Sequence, residues 1–149
     1  MKKSTIILAS ALMLFSAFAF ATDGDLVNEK VKAAFSKDFS LASNVNWEKT
    51  NDYFFASFFI NQIEINAAYD EEGELVGISR AMETAQLPIP ISMALAKKYA
   101  GYTVGKKAIE LSYEGNTHYY FTVVNEKQTL KLKCTVNGSI EVERRIKHP

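Results

Sequence analysis

Tyr53-Phe54-Phe55-Ala56-Ser57-Phe58-Phe59-Ile60 is aromatic or aliphatic at every position but Ser57. As a strand it presents apolar groups on both of its alternating faces, so it needs cover on both sides. A helix of the same chain can take one side, and what covers the other bears on function. Working outward, Val45 and Trp47 alternate with Asn46 and Glu48, and Asn51-Asp52 makes the turn into the octet. Asn61-Gln62 makes a second tight turn, after which Ile63, Ile65, Ala67 and Tyr69 alternate with Glu64, Asn66, Ala68 and Asp70, a half-buried strand. Asp70-Glu71-Glu72-Gly73 turns again, and Leu75, Val76 and Ile78 supply a last strand. Upstream, Val27, Val31, Ala34 and Phe35 fall on one helical face, with Asp25 expected at the N-cap and the end near Lys37 or Asp38.

The pattern then starts over. Pro88-Ile89-Pro90 breaks the chain, Ile91, Ala94, Leu95 and Tyr99 form a second apolar stripe, and Gly101 is expected at C′. Ile109, Leu111 and Tyr113 alternate, His118 to Val124 is a second central strand, and Leu130, Leu132, Cys134 and Val136 alternate after it. Asn137-Gly138 signals a type I′ hairpin, and Ile140, Val142 and Ile146 close the sheet. At an offset of 65, Gly73 meets Gly138, Tyr69 meets Cys134, Ile65 meets Leu130 and Phe54-Phe55 meets Tyr119-Tyr120; at 64, Val45 and Trp47 meet Ile109 and Leu111. The expected fold is therefore α+β: two helix-plus-antiparallel-meander repeats, about 22–84 and 85–149, forming one curved antiparallel sheet with both helices on one face. A unit of this size cannot bury a core alone, so both repeats are assigned to a single domain, 22–149.

Residues 1–21 read as a signal peptide. Lys2 and Lys3 precede the apolar run Ile6 to Phe18, and Ala19-Phe20-Ala21 fits a small-x-small cleavage site. The run is short for a bilayer span of about 20 residues, and no other such stretch follows. The expected product is exported, periplasmic or secreted. The whole chain has equal numbers of basic and acidic residues, and removing Lys2 and Lys3 leaves a net charge of −2. Nothing in that balance draws it to nucleic acid or an anionic membrane. A single cysteine, Cys134, excludes an intramolecular disulfide, so stability has to come from the core.

The run Val45-Asn46-Trp47-Glu48, Tyr53 to Phe58, Ala67-Ala68-Tyr69-Asp70-Glu71-Glu72-Gly73-Glu74-Leu75, Leu87-Pro88-Ile89-Pro90-Ile91 and Lys97-Lys98-Tyr99-Ala100-Gly101-Tyr102, with a second meander after it, resembles the PepSY-like family of bacterial periplasmic proteins. That family is similar in architecture to the tandem-repeat beta-lactamase inhibitor proteins. The resemblance covers nearly the whole mature chain, and its motifs are turn glycines, strand aromatics and prolines. It implies a binding or inhibitory module and supplies no catalytic residues to carry over.

Alternation divides the strands into two faces. Val45, Trp47, Ile63, Ile65, Ala67 and Tyr69 are assigned to the helix side with Phe54, Ala56 and Phe58. From the second copy come Ile109, Leu111, Leu130, Leu132, Cys134, Tyr119, Phe121 and Val123. The opposite face is expected to be open. Tyr53, Phe55, Phe59, His118 and Tyr120 form its aromatic part, and Glu48, Glu64, Lys131 and Lys133 set register at its rim. Three readings of it are open: a partner-recognition surface, a homodimer contact, or plain solvated surface.

No catalytic residue, metal site or cofactor is assigned. His118 and His148 lack partners at ligand spacing, and Asp70-Glu71-Glu72-Gly73-Glu74 is too short for a calcium loop. Cys134 alternates with Leu130 and Leu132 as a buried hydrophobe does, and has no base in view. Glu48 and Glu64 are a candidate carboxylate pair if their strands adjoin. The expected function is non-catalytic: an exported module that recognises an unknown protein or peptide through the aromatic face, inhibition of an envelope hydrolase by occlusion being one form that such recognition can take. The alternative is a small-molecule carrier or sensor with a pocket between the repeats.

Overall fold

The computed structural model describes residues 27–149. The expected signal segment and Asp25 lie outside the described residues. Helix α1 spans Glu29–Asp38 and α2 Ile89–Lys98. The strands are β1 (Ser43–Thr50), β2 (Tyr53–Ile60), β3 (Ile63–Asp70), β4 (Leu75–Glu83), β5 (Thr103–Tyr113), β6 (Asn116–Val124), β7 (Gln128–Thr135) and β8 (Ile140–Lys147). They form one eight-stranded sheet in sequence order, an open meander whose edges are β1 and β8. This is the α+β class that the sequence predicts. Two compact units divide the chain. Of the described residues, 27–80 with Ser112–Glu114 make the first, and Ala81–Leu111 with Gly115–Pro149 the second.

In the first unit, α1 is capped by Asn28 rather than Asp25: its Oδ1 accepts from the Val31 amide at 2.9 Å, with Asn28 in extended backbone. That satisfies one of the orphan donors every helix start leaves. Val31 and Phe35 enter a core shared with Val27, Phe54, Ala56, Phe58, Ala67 and Tyr69, all of them buried, and Val45, Trp47 and Ile65 pack against it. Phe35 is the hub, with ring centroids 5.0 Å from both Trp47 and Phe58, edge-on in each case. The wholly buried Tyr69 donates its hydroxyl to Asp38 Oδ2 at 2.9 Å, which ties β3 to the end of α1. The helix-side assignment of β1, β2 and β3 is therefore met, except at Ile63, which is exposed at the strand start.

In the second unit, Leu87, Ile91 and Leu95 join Ala108, Tyr119, Phe121, Val123, Leu130, Leu132 and Cys134 in a buried cluster. Pro90 stands at the first turn of α2, where its missing amide costs nothing. On β5 the expectation is corrected. Ala108, not Ile109 or Leu111, enters the cluster. Leu111 is 2 % exposed without belonging to the cluster.

Two turn expectations are also corrected. Asn137-Gly138 is not type I′, which needs positive φ at two adjacent residues. Only Gly138 has it (+87°); its amide donates to Thr135 O at 2.9 Å, and Thr135 N donates to Ser139 O at 3.0 Å. That is a three-residue loop with the glycine in the left-handed position. Gly73 (+84°) closes the β3–β4 loop in the same way, with its amide on Asp70 O. Each glycine also sits against the first turn of its unit's helix: a Cβ would lie 3.0 Å from Lys30 O at Gly73 and 2.5 Å from Pro90 O at Gly138. Two adjacent positive φ angles occur instead at Asn61-Gln62 (+49°, +66°) and Glu114-Gly115 (+49°, +72°). Gly101 has no positive φ, and α2 ends with Tyr99 donating its amide to Leu95 O.

Candidate functional site

The face of the first unit opposite α1, helix-free with respect to the described helices, is read from its register. Glu48, Phe55, Ala68 and Gly77 form one cross-strand row, and Asn46, Ser57, Asn66 and Ser79 the next. Phe59 lies opposite Glu64, and Tyr53 opposite Thr50 and Asp70. These rows are not uniformly open. Phe55 is only 3 % exposed, and Ala68 beside it is wholly buried, whereas Phe59 is 36 % exposed. The expectation of an exposed Phe55 is thus corrected: its ring is covered on the helix-free side, between Glu48 and Ala68. Tyr53, Glu48 and Glu64 are half-buried.

Asn66 and Ser79 are buried, and Ser57 donates its hydroxyl to Asn66 Oδ1 at 2.6 Å. A satisfied polar row under cover fixes the register of β2, β3 and β4, because a one-residue slip would expose the apolar set and bury unpaired amides. Sequence alternation put Asn46 and Asn66 on this face; that they line up with Ser57 and Ser79 needed the register. The supposed carboxylate pair does not form. Glu48 and Glu64 stand two strands apart, opposite Phe55 and Phe59, which separates their backbones by roughly 16 Å.

On the second unit's helix-free face, Tyr120 of β6, Lys133 of β7 and Glu141 of β8 form one row, with Thr122, Lys131 and Arg144 next to it. His118 precedes Tyr120 on the strand, its ring 6.5 Å from the tyrosine ring. Partial burial lowers the His118 pKa, the Lys133 ammonium lowers it further, and Glu141 opposes both. His118 is therefore biased toward the neutral imidazole. Burial pushes the Tyr120 hydroxyl up to about 12, and the carboxylates of Glu143 and Glu141 reinforce the shift. The tyrosine stays a neutral donor at any physiological pH.

Sequence reasoning missed Glu141 and Arg144. A register shift between Lys131 and Leu132 marks a bulge that leaves Glu143 outside the pairing, so the phase of β8 flips after Val142. Arg144 then falls on the helix-free face. The visible signal was a charged residue at 144, where the alternation of Ile140, Val142 and Ile146 calls for an apolar one.

Elsewhere, a surface depression of 450 Å³ in the first unit is lined by Asn28, Lys30, Lys49, Phe54, Glu71 and Glu72, among others. Its charges are already engaged: Lys30 with Glu72, and Lys49 with Glu71 at 3.4 Å and over the Phe54 ring. Cys134 is fully buried, and burial pushes its thiol up to about 11, which makes it a poor nucleophile. No group of three or more His, Cys, Asp or Glu among the described residues could hold a metal ion. No helix among them is long and apolar enough to cross a membrane.

No family model matches the chain, and no curated protein does. Solved structures do. A BLIP-like protein from Bacteroides fragilis superposes with a TM-score of 0.68 at 18% identity, covering 85% of this chain and 94% of its own. A DUF2874 family protein from Bacteroides uniformis gives 0.66 at 21% identity, with 81% and 89% covered. A Bacteroides eggerthii protein provisionally described as periplasmic gives 0.66 at 19% identity, with 81% and 88% covered. At these identities the likeness is one of fold.

Proposed function

We propose that this chain is an exported, non-catalytic binding module of the bacterial envelope, built from two copies of one helix-plus-meander repeat. It recognises a protein or peptide through the helix-free face of its sheet. The observation that carries this reading is the row Tyr120–Lys133–Glu141 with His118 and Lys131 beside it: aromatic and charged groups side by side on a sheet face that no helix of its own unit covers. Tyrosine and histidine bury area at low entropic cost, and the surrounding charges orient a partner. Tyr53, Phe59, Glu48 and Glu64 extend the same chemistry on the first unit, while Phe55 contributes as a buried support. Likeness in fold to a BLIP-like protein and to a provisionally periplasmic one supports an envelope address and inhibition of a hydrolase by occlusion.

The test is affinity capture from envelope extract with the mature chain, beside a Tyr53→Ser/Phe59→Ser/Tyr120→Ser control shown by circular dichroism to be folded. A protein held by the wild type and released by the control, then bound in purified form by the wild type alone, supports the reading. Equal recovery by both baits refutes it. If nothing is recovered and the wild type forms a dimer that the control does not, the face is a self-association surface.

A further inference from the structure

On the helix-free face of the second unit, Lys131 stands directly opposite Arg144, with Thr122 on its other flank. Like charges directly opposite each other in an antiparallel pair are destabilising. Neither side chain has an ion pair or hydrogen bond among the described residues, although four other lysines do. The bulge in β8 is what turns Arg144 to this face. Two unfavourable features, a broken ladder and a repulsive cross-strand pair, thus converge on one spot. The row beyond it, Val124–Thr129–Ile146, is largely apolar. The row on the other side ends in Glu141, with Glu143 in the bulge.

We infer that the Lys131–Arg144 pair receives the side-chain carboxylates of an acidic segment of the protein partner. This rests on the reading of the face as a partner site. A guanidinium fork matches a carboxylate with two parallel hydrogen bonds, and the neighbouring ammonium supplies a further donor. A carboxylate seated between them turns a repulsive pair into a bridged one, so occupancy relieves a cost that the free protein carries. Val124 and Ile146 offer apolar ground to residues flanking the acid. Glu141 and Glu143 repel an acidic segment shifted toward Tyr120, which sets its register by exclusion.

The probe is hexaglutamate, titrated at low salt into the mature chain and followed by amide chemical shifts, with hexalysine as control. Shifts should concentrate at 122, 131 and 144, and Lys131→Gln/Arg144→Gln should weaken binding by about tenfold or more. Without peptide the same variant should melt no lower than wild type, because the repulsion is gone; this separates lost recognition from lost folding. Unchanged hexaglutamate binding by the variant, or equal binding of hexalysine, overturns the inference. So does stronger binding of inorganic phosphate or phosphatidylglycerol vesicles, or a dimer abolished by the variant.

In the envelope capture, a partner lost by the Tyr53/Phe59/Tyr120 control but held by the Lys131/Arg144 variant leaves the face reading standing and removes this inference. A partner held by the Tyr53/Phe59/Tyr120 control removes the face reading itself.

Discussion

Phe55 and Phe59 lie four residues apart on one strand and point to the same side of the sheet, yet removing their rings should have very different consequences. Phe55 is 3 % exposed and Phe59 36 %. Phe55→Ala leaves a cavity between Glu48 and Ala68, and a buried phenylalanine truncated to alanine costs about 3–5 kcal/mol. At Phe59 the ring already meets water and its site can collapse or hydrate, so the cost should be about 1 kcal/mol. With a urea m-value of roughly 2 kcal/mol/M, the midpoint should fall by roughly 2 M for Phe55→Ala and roughly 0.5 M for Phe59→Ala. Because total stability is only about 5–15 kcal/mol, Phe55→Leu serves as a milder companion, expected to cost about 1 kcal/mol. Urea unfolding followed by tryptophan fluorescence makes the measurement, since Trp47 belongs to the same unit's core. Equal midpoints for Phe55→Ala and Phe59→Ala would show that the helix-free face is uniformly wet and that Phe55 carries no structural weight.

Gly138→Ala should destabilise by about 2 kcal/mol or more, from the left-handed φ and the 2.5 Å approach to Pro90 O. Gly101→Ala, in open space without positive φ, should be neutral or slightly stabilising, and thermal melts of the two distinguish them. Gln62→Gly should raise stability by up to about 1 kcal/mol, since Gln62 holds φ +66° in a type I′ loop where Asn-Gly is the favoured pair; a lower melting temperature would contradict the turn geometry. Cys134 should resist thiol reagents at pH 8 in the native protein and label at once in denaturant. Its thiol pKa rises on folding from 9.0 to about 11, so the unfolded state releases its proton first. Stability should therefore be full below pH 9 and decline as pH rises toward 11, by up to about 2 kcal/mol, a decline that Cys134→Val should reduce.

What was legible in the sequence was whatever a period of two or of 3.6 encodes. Phe54, Ala56, Phe58, Ala67 and Tyr69 on one side, with Val31 and Phe35 above them, follow from alternation and helical spacing alone. What was not legible depends on a break in period or on a contact distant in sequence. Asn28 caps α1 through a bond to Val31, yet Asp25 is an equally good cap by composition. Asn137-Gly138 carries the strongest short-range hairpin signal and makes a different loop, because Thr135 and Ser139 pair and leave three residues, not two, between the strands. On β5, Ala108 takes the core position although Ile109 and Leu111 are the larger hydrophobes. Gly105 shows how closely that strand is approached: a Cβ there would meet Thr122 Oγ1 at 2.8 Å.

The candidate site sits where these rules fail, which is also where its chemistry is most specific. An aromatic residue at an outward phase does not have to meet water: Phe55 and Phe59 share a phase and differ in burial, because burial belongs to the neighbours on the face and not to the strand. Charge at an inward phase does not have to be buried either, since the bulge turns Arg144 out beside Lys131. Alternation predicts which residues share a side, and it cannot rank them as support or contact. Phe55, Ala68, Asn66 and Ser79 are covered and hold the face in shape, while Phe59, Lys131 and Arg144 are left to solvent. A partner that reads the helix-free face can only touch the second group. Substitutions in the first group should therefore alter binding only through stability, and substitutions in the second should alter binding at a cost in stability of no more than about 1 kcal/mol.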